Sequence, residues 1–177
     1  MKYYSIIGAE TNKKQDQWVC ETLNFKKNGV WVDIGCSYPV ANGNNTYAME
    51  SQLDWSGVSL DFDQPSINAW SSSDRSLNGV VCQDALTTDY EALFEEHGLP
   101  TIIDYLSLDL EPPTRTLEAL YRIPFDKYKF RCITYETDAY RGMGTEAPSR
   151  TFLESKGYKL VMAVNYQDDY WVYGEEL

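Results

Sequence analysis

The stretch "GVWVDIGCSYPVANGNNTYAMESQLDWSGVSLDFD", residues 29–63, decides the fold. It opens on a short apolar run, "GVWVDIG", that reads as a buried strand. A helix follows in "NNTYAMESQLD", with Asn44 or Asn45 as its cap and an end near Asp54 and Trp55. "GVSLDFD" is a second strand. Strand, helix and strand in this order form a βαβ unit.

Working outward, the alternation continues. Residues 14–27, "KQDQWVCETLNFKK", set Trp18, Val19, Leu23 and Phe25 at helical spacing. "PSINAWSSS" is a helix with Pro65 in its first turn, "GVVCQDA" a third strand, and "DYEALFEEHG" a helix stopped by Gly98. "TIIDYLSLDLE" is the longest strand candidate, followed by the helix "TRTLEALYRI", the strand "KFRCITYETD" and the helix "SRTFLESKG". The tail "YKLVMAVNYQDDYWVYG" reads as two strands around a turn at Asn165–Asp169. These elements predict an α/β fold: a doubly wound, mostly parallel sheet with helices on both faces and an antiparallel C-terminal hairpin. No Pro/Gly/Ser-rich linker divides the chain, so a single domain is expected over residues 1–177, with an N-terminal helical segment in 1–28.

Charge narrows the partners. Fifteen Lys and Arg against 27 Asp and Glu give a formal net charge of −12, and no basic block offers a phosphate backbone a footing. Nucleic acid is therefore not an expected partner. Cys20, Cys36, Cys82 and Cys132 form no C-x-x-C pair and His97 is the only histidine, which argues against a zinc site and for reduced, packed thiols. His97, near a helix C-terminus, reads as structural. With no signal-like leader and no apolar run of membrane length, a cytoplasmic protein without membrane contact is expected.

In doubly wound sheets ligands bind beyond the carboxyl ends of the strands, at the topological switch point. Each parallel strand here ends in a carboxylate: Asp33, Asp61, Asp84, Asp109 with Glu111, and Glu136 with Asp138. Any one of these has a simple explanation as a helix cap; five in register go beyond it. Gly35 follows the first strand where a residue without Cβ lets a ligand approach the backbone. The G-x-G-x-x-G fingerprint is absent, since Gly35 and Gly43 stand eight apart with Pro39 between them, and no P-loop occurs. A nucleoside with a cationic or neutral tail remains. Asp61 suits the ribose hydroxyls, Asp84 an adenine amino group, and Asp33 an ammonium, with Phe62 and Ala85 as neighbouring contacts. Together these groups describe S-adenosylmethionine.

"VWVDIGCSYPVANGNNTY", "WSGVSLDFDQPSI", "IDYLSLDLEPPTRTLEAL", "FDKYKFRCITYETDAYRG" and "SRTFLESKGYKLV" resemble the successive blocks of FkbM-type S-adenosylmethionine-dependent methyltransferases, from about Gln15 to Tyr173. The resemblance implies a class I methyltransferase fold with a seven-stranded sheet and cofactor contacts at Asp33, Gly35, Asp61 and Asp84. It also implies methyl transfer to oxygen, often on sugars or natural products. Pro112-Pro113 and Thr137 stand where that family often has a glycine and a histidine.

Asp109 and Glu111 are two apart, and Glu136 and Asp138 repeat the spacing, so on continuing neighbouring strands the four converge beside the methyl position. Asp109, Glu111 and Glu136 are the expected catalytic residues, Glu111 as base, and Asp109 also counts as a cofactor contact. Mg²⁺ through oxygen ligands is the alternative and is not favoured, so no metal ligand is assigned. The expected acceptor is a small molecule, held by the loops 38–44, 112–114 and 139–147 or by a second copy of the chain, with Gly142-Met143-Gly144 as a lid. Asn45 and Thr46 face the cofactor or cap the helix; Arg141, Arg150 and Lys156 read as surface cations. Two rivals remain: a cofactor-binding subunit without turnover, and a dehydrogenase-like nucleotide domain.

Overall fold

The computed structural model describes residues 15–40, 44–164 and 166–174. Residues 1–14 of the expected helical segment, Gly43 and the turn residue Asn165 lie outside the described residues. The chain runs α1 (Gln15–Thr22), β1 (Val30–Ile34), α2 (Tyr47–Leu53), β2 (Ser56–Asp61), α3 (Gln64–Trp70), β3 (Val80–Cys82), α4 (Tyr90–Glu96), β4 (Ile102–Leu108), α5 (Pro113–Leu120), β5 (Lys129–Glu136), α6 (Glu146–Ser155), β6 (Tyr158–Val164) and β7 (Asp168–Tyr173).

The seven strands form one sheet in the order β3-β2-β1-β4-β5-β7-β6. β3, β2, β1, β4 and β5 are parallel, while β7 runs antiparallel to both β5 and β6. The chain leaves β1 outward to β2 and β3, then returns to the other side of β1 as β4. That reversal opens the crevice above β1 and β4.

Alternation along the strands sorts the core into two faces. Val32, Ile34, Leu106, Leu108 and Ile133 join the larger cluster with Phe94, Leu120, Phe125 and Tyr158. Trp31, Tyr105 and Cys132 turn the other way, onto Val19 and Cys20 of α1 and Met49 and Leu53 of α2. Asp33, two residues after Trp31 and one before the end of β1, therefore faces the α1–α2 side.

Asp63 caps α3, accepting from the Ser66 amide at 2.9 Å, and Asp89 caps α4 through the Ala92 amide at 3.1 Å. Two predicted boundaries move. α1 stops at Thr22, and Asn24 and Phe25 then adopt left-handed φ of 50° and 51°. The strand predicted through Glu111 ends at Leu108. The Asp109 amide reaches across to the Ile34 carbonyl at 3.0 Å, and the Thr116 hydroxyl closes on Leu110, accepting from its amide at 3.1 Å and donating to its carbonyl at 2.7 Å. Pro112 and Pro113 then offer no amide to a ladder. At the opposite end of the sheet Asp104, hidden in the apolar run of β4, binds Lys26 Nζ at 2.7 Å and the Val30 amide at 3.0 Å, pinning the start of β1.

Candidate cofactor and acceptor site

Asp33 is 2% exposed beneath the loop that joins β1 to α2. Ser107, its register partner on β4, donates to it, as does the Thr46 hydroxyl at 3.4 Å. Burial lifts its pKa to about 6, against the pull of Ser107 and Arg75. Asn45 Nδ2 donates to the Ser107 hydroxyl at 3.1 Å, while Asn44 Oδ1 accepts from the amides of Thr46 and Tyr47 at 3.1 and 3.0 Å. The cap position is Thr46, neither of the two expected asparagines, and its side chain caps no amide; Asn44, two residues ahead, takes the first amides instead, while Asn45 and Thr46 serve Asp33.

Gly35 has φ +88°, and a Cβ built there would stand 1.7 Å from the Asp109 carbonyl oxygen. The space left by its missing side chain is filled by the β4 loop. This replaces the expected reason, close approach of a ligand, with a packing one.

Asp61 closes β2, with Oδ2 accepting from the Ser37 amide and Oδ1 from the Asp63 amide, both at 2.9 Å. It therefore holds the β1–α2 loop in place as well as facing the crevice. Phe62 beside it is 62% exposed, a bare aromatic face on the rim. Asp84 pairs with Arg115 Nη2 at 2.6 Å and caps its own turn through the Leu86 amide at 2.9 Å. The Arg115 guanidinium lies 5.8 Å from the Phe62 ring. A cavity of about 330 Å³ opens beside Asp84, walled by Gln83, Thr87, Asp89 and Leu93. Ala85 packs its side chain into the core, and its carbonyl accepts from the Tyr90 hydroxyl at 2.9 Å. A second cavity of the same size, between Trp31, Trp55, Gly57 and His97, lies toward the opposite ends of the strands, away from these carboxylates.

The four acceptor-side carboxylates do converge, but not by strand continuation. Asp109 is half-buried just past β4, Glu111 is exposed, and Asp138 is turned by a left-handed φ of 43°. Oxygens of Glu111, Glu136 and Asp138 lie within 4.8 Å of one another. Arg141, on the short 3-10 turn Ala139–Arg141, bridges Glu111 and Asp138. Asp109 and Glu136 share a hydrogen bond, and burial raises both groups, with Asp138 adding to the effect on each. Glu136 Oε2 is buried without a hydrogen-bond partner. Asp168, opposite Glu136 on β7, is lifted to about 7 by burial and then by Asp109, and accepts from Gln15 Nε2 at 3.1 Å.

Sequence reading missed Arg75, Arg115, Ser107 and Asp168, and it placed Arg141 and Arg150 on the plain surface. Arg150 makes two 2.8 Å bonds to the buried Asp169. Thr137 donates to the Gln167 carbonyl at 2.9 Å and is a turn residue. None of the four cysteines forms a disulfide, and Cys82 alone is exposed. Among the described residues no helix is long and apolar enough to cross a membrane.

No protein-family model matches the chain, and neither does any curated protein. Solved structures do resemble it in fold. A Clostridium thermocellum protein assigned as an rRNA methylase aligns with TM-score 0.60 and 14% identity, over 92% of this chain and 96% of that one. The human methyltransferase 10 domain containing protein aligns with TM-score 0.57 and 14% identity, over 94% and 84%. A TehB-like SAM-dependent methyltransferase from Corynebacterium glutamicum aligns with TM-score 0.52 and 11% identity, over 93% and 90%. The fold is that of the Rossmann-like methyltransferases.

Proposed function

We propose that this protein is an S-adenosylmethionine-dependent methyltransferase that acts on a hydroxyl of a small polar acceptor, in keeping with the FkbM resemblance. The observation that carries the reading is the methyltransferase sheet order with Asp33, Asp61 and Asp84 at or just past the carboxyl ends of β1, β2 and β3, the three strands on one side of the reversal. The residues fit the cofactor. Asp33 is a carboxylate for an ammonium, Asp61 retains a free lone pair on each oxygen for ribose hydroxyls, and Phe62 offers an open ring face beside Asp84 for adenine. When bound, the cofactor supplies an already activated methyl group, so the protein's work is mainly alignment.

The acceptor's proton falls to the Asp109–Glu136 pair. The pair is raised by burial and shares one proton, so its ionised member is the base. Glu111, first choice from the sequence, is a poorer base because it is exposed and paired with Arg141. The same pairing favours a second reading, a cofactor-binding subunit without turnover. Two fold relatives, from Clostridium thermocellum and Streptococcus thermophilus, are assigned as rRNA methylases; for this chain the −12 charge and the acidic rim weigh against an acceptor with a phosphate backbone.

Thermal shift with S-adenosylmethionine, S-adenosylhomocysteine and NAD tests the reading. At a hundred times Kd, bound S-adenosylhomocysteine should add about 2.7 kcal/mol, or roughly 5–10 °C for a chain of this size, with no response to NAD. No response to either adenosyl compound would overturn it. Turnover with hydroxyl acceptors then separates the enzyme from the silent subunit.

A further inference from the structure

Arg75 lies in the polar stretch between α3 and β3, yet its side chain is 1% exposed. Its Nε donates to Glu50 at 2.5 Å, Nη1 to the Pro39 carbonyl at 3.1 Å and to Asn44 Oδ1 at 2.6 Å, and Nη2 to the Thr46 hydroxyl at 2.9 Å. The guanidinium packs over Trp70 at 4.2 Å from the ring centre. Four of its five N–H groups are thus spent on both ends of the β1–α2 loop and on α2. A buried cation with so many partners is expensive to build and needs a reason beyond loop closure.

Thr46 supplies that reason. Its oxygen accepts from Arg75, and its single proton then has two takers, Asp33 at 3.4 Å and Asn44 at 3.1 Å. Asn44 Oδ1 already accepts from Arg75 and from two amides. Asp33 is the taker with capacity to spare.

We propose that Arg75 is the positioning residue of the cofactor site: through Thr46 and through its own charge it holds Asp33 as an oriented carboxylate for the cofactor's ammonium. This rests on the cofactor reading above. The other ionisable groups around Asp33 are Asp109 beyond β4, Tyr105 on β4 and the Cys36 thiol. Burial holds Tyr105 and Cys36 well above their ordinary values, so both stay neutral across pH 5–8.5. Asp109 is raised as well and needs resolving by site.

Two measurements on wild type, Arg75→Met, Arg75→Lys and Thr46→Val test the proposal: the Asp33 carboxyl titration by ¹³C NMR in the free protein, and S-adenosylhomocysteine affinity by calorimetry from pH 5 to 8.5. The Asp33 midpoint, about 6 in wild type, should rise by about one pH unit in Arg75→Met, less in Thr46→Val, and least in Arg75→Lys. Affinity in Arg75→Met should then fall about threefold at pH 6.5 and recover by pH 8.5. Simple structural damage would weaken binding equally at every pH. An unmoved Asp33 midpoint in Arg75→Met and Thr46→Val overturns the proposal; should Arg75→Met fail to fold, Thr46→Val alone decides it. Wild type that binds no S-adenosylhomocysteine would defeat the cofactor reading, while the NMR titration still judges the link from Arg75 to Asp33.

Discussion

Replacing Gly35 with alanine should cost far more than a methyl group ordinarily does. The new Cβ would stand 1.7 Å from the Asp109 carbonyl oxygen, 2.8 Å from its carbon and 3.2 Å from Leu110 Cδ2. Backbone, not a flexible side-chain tip, is in the way, so the β1 and β4 loops must part. A left-handed φ of +88° costs alanine about 1–2 kcal/mol by itself. Parting the loops stretches the Asp109 amide's 3.0 Å bond to Ile34, worth about 1 kcal/mol, and loosens Leu110, worth about another 1 kcal/mol. The total is about 3–4 kcal/mol, a large share of a total stability of about 5–15 kcal/mol.

Urea unfolding measures it: at a slope of about 2 kcal/mol per molar, the midpoint should drop by roughly 1.5–2 M. Gly142→Ala is the control. Its φ of +67° carries the same backbone strain, but nothing lies within 4 Å of its Cβ, so its loss should stay near 1 kcal/mol. Equal losses in the two variants would refute the contact between the loops.

Asp61→Ala should weaken S-adenosylhomocysteine about tenfold or more and also cost about 2 kcal/mol in stability, since the Ser37 and Asp63 amides lose their acceptor. Unchanged affinity would move the ribose site elsewhere. Asp168 has its folded pKa raised to about 7 from an ordinary 3.8, so its contribution to stability is full below about pH 4 and fades as pH rises through 7. Between pH 5 and 8 wild type should lose about 2–3 kcal/mol relative to Asp168→Asn, followed by denaturant midpoints; parallel pH profiles would remove Asp168 from the account.

What was legible in the sequence was what repeats. Short apolar runs ending in a carboxylate, with helices between them, yielded the five parallel strands, and a turn signal yielded the hairpin, because periodicity and strand ends are local properties. Arg75 was invisible for the opposite reason. It sits in "SSSDRSLNG", a stretch with the composition of a solvated loop, and only the fold brings it onto Pro39, Asn44 and Thr46. Asp104 was masked by the apolar run around it. Asp109 and Glu111 were placed on one face by counting along a strand that in fact stops at Leu108. The glycine after β1 was recognised as special, but which atom needed the room depended on a residue 74 positions away.

The crevice has a consistent electrical character. Asp109, Glu111, Glu136, Asp138 and Asp168 crowd its acceptor side, and Arg141 with the proton shared by Asp109 and Glu136 offsets only part of that charge. A divalent ion bound by Glu111, Glu136 and Asp138 would have to displace both the guanidinium and that proton, so it would compete with two cations already seated there. A pyrophosphate would enter the same field without a glycine-rich cradle of amides. A ligand bearing ammonium and sulfonium charges enters it downhill, and burial keeps the attraction from being screened as it would be at the surface. On the proposed reading, the raised carboxyl pKa values are the cost of that selectivity in the free protein. A bound cation should lower them and release protons, which ties cofactor binding to pH through the same carboxylates that line its bed.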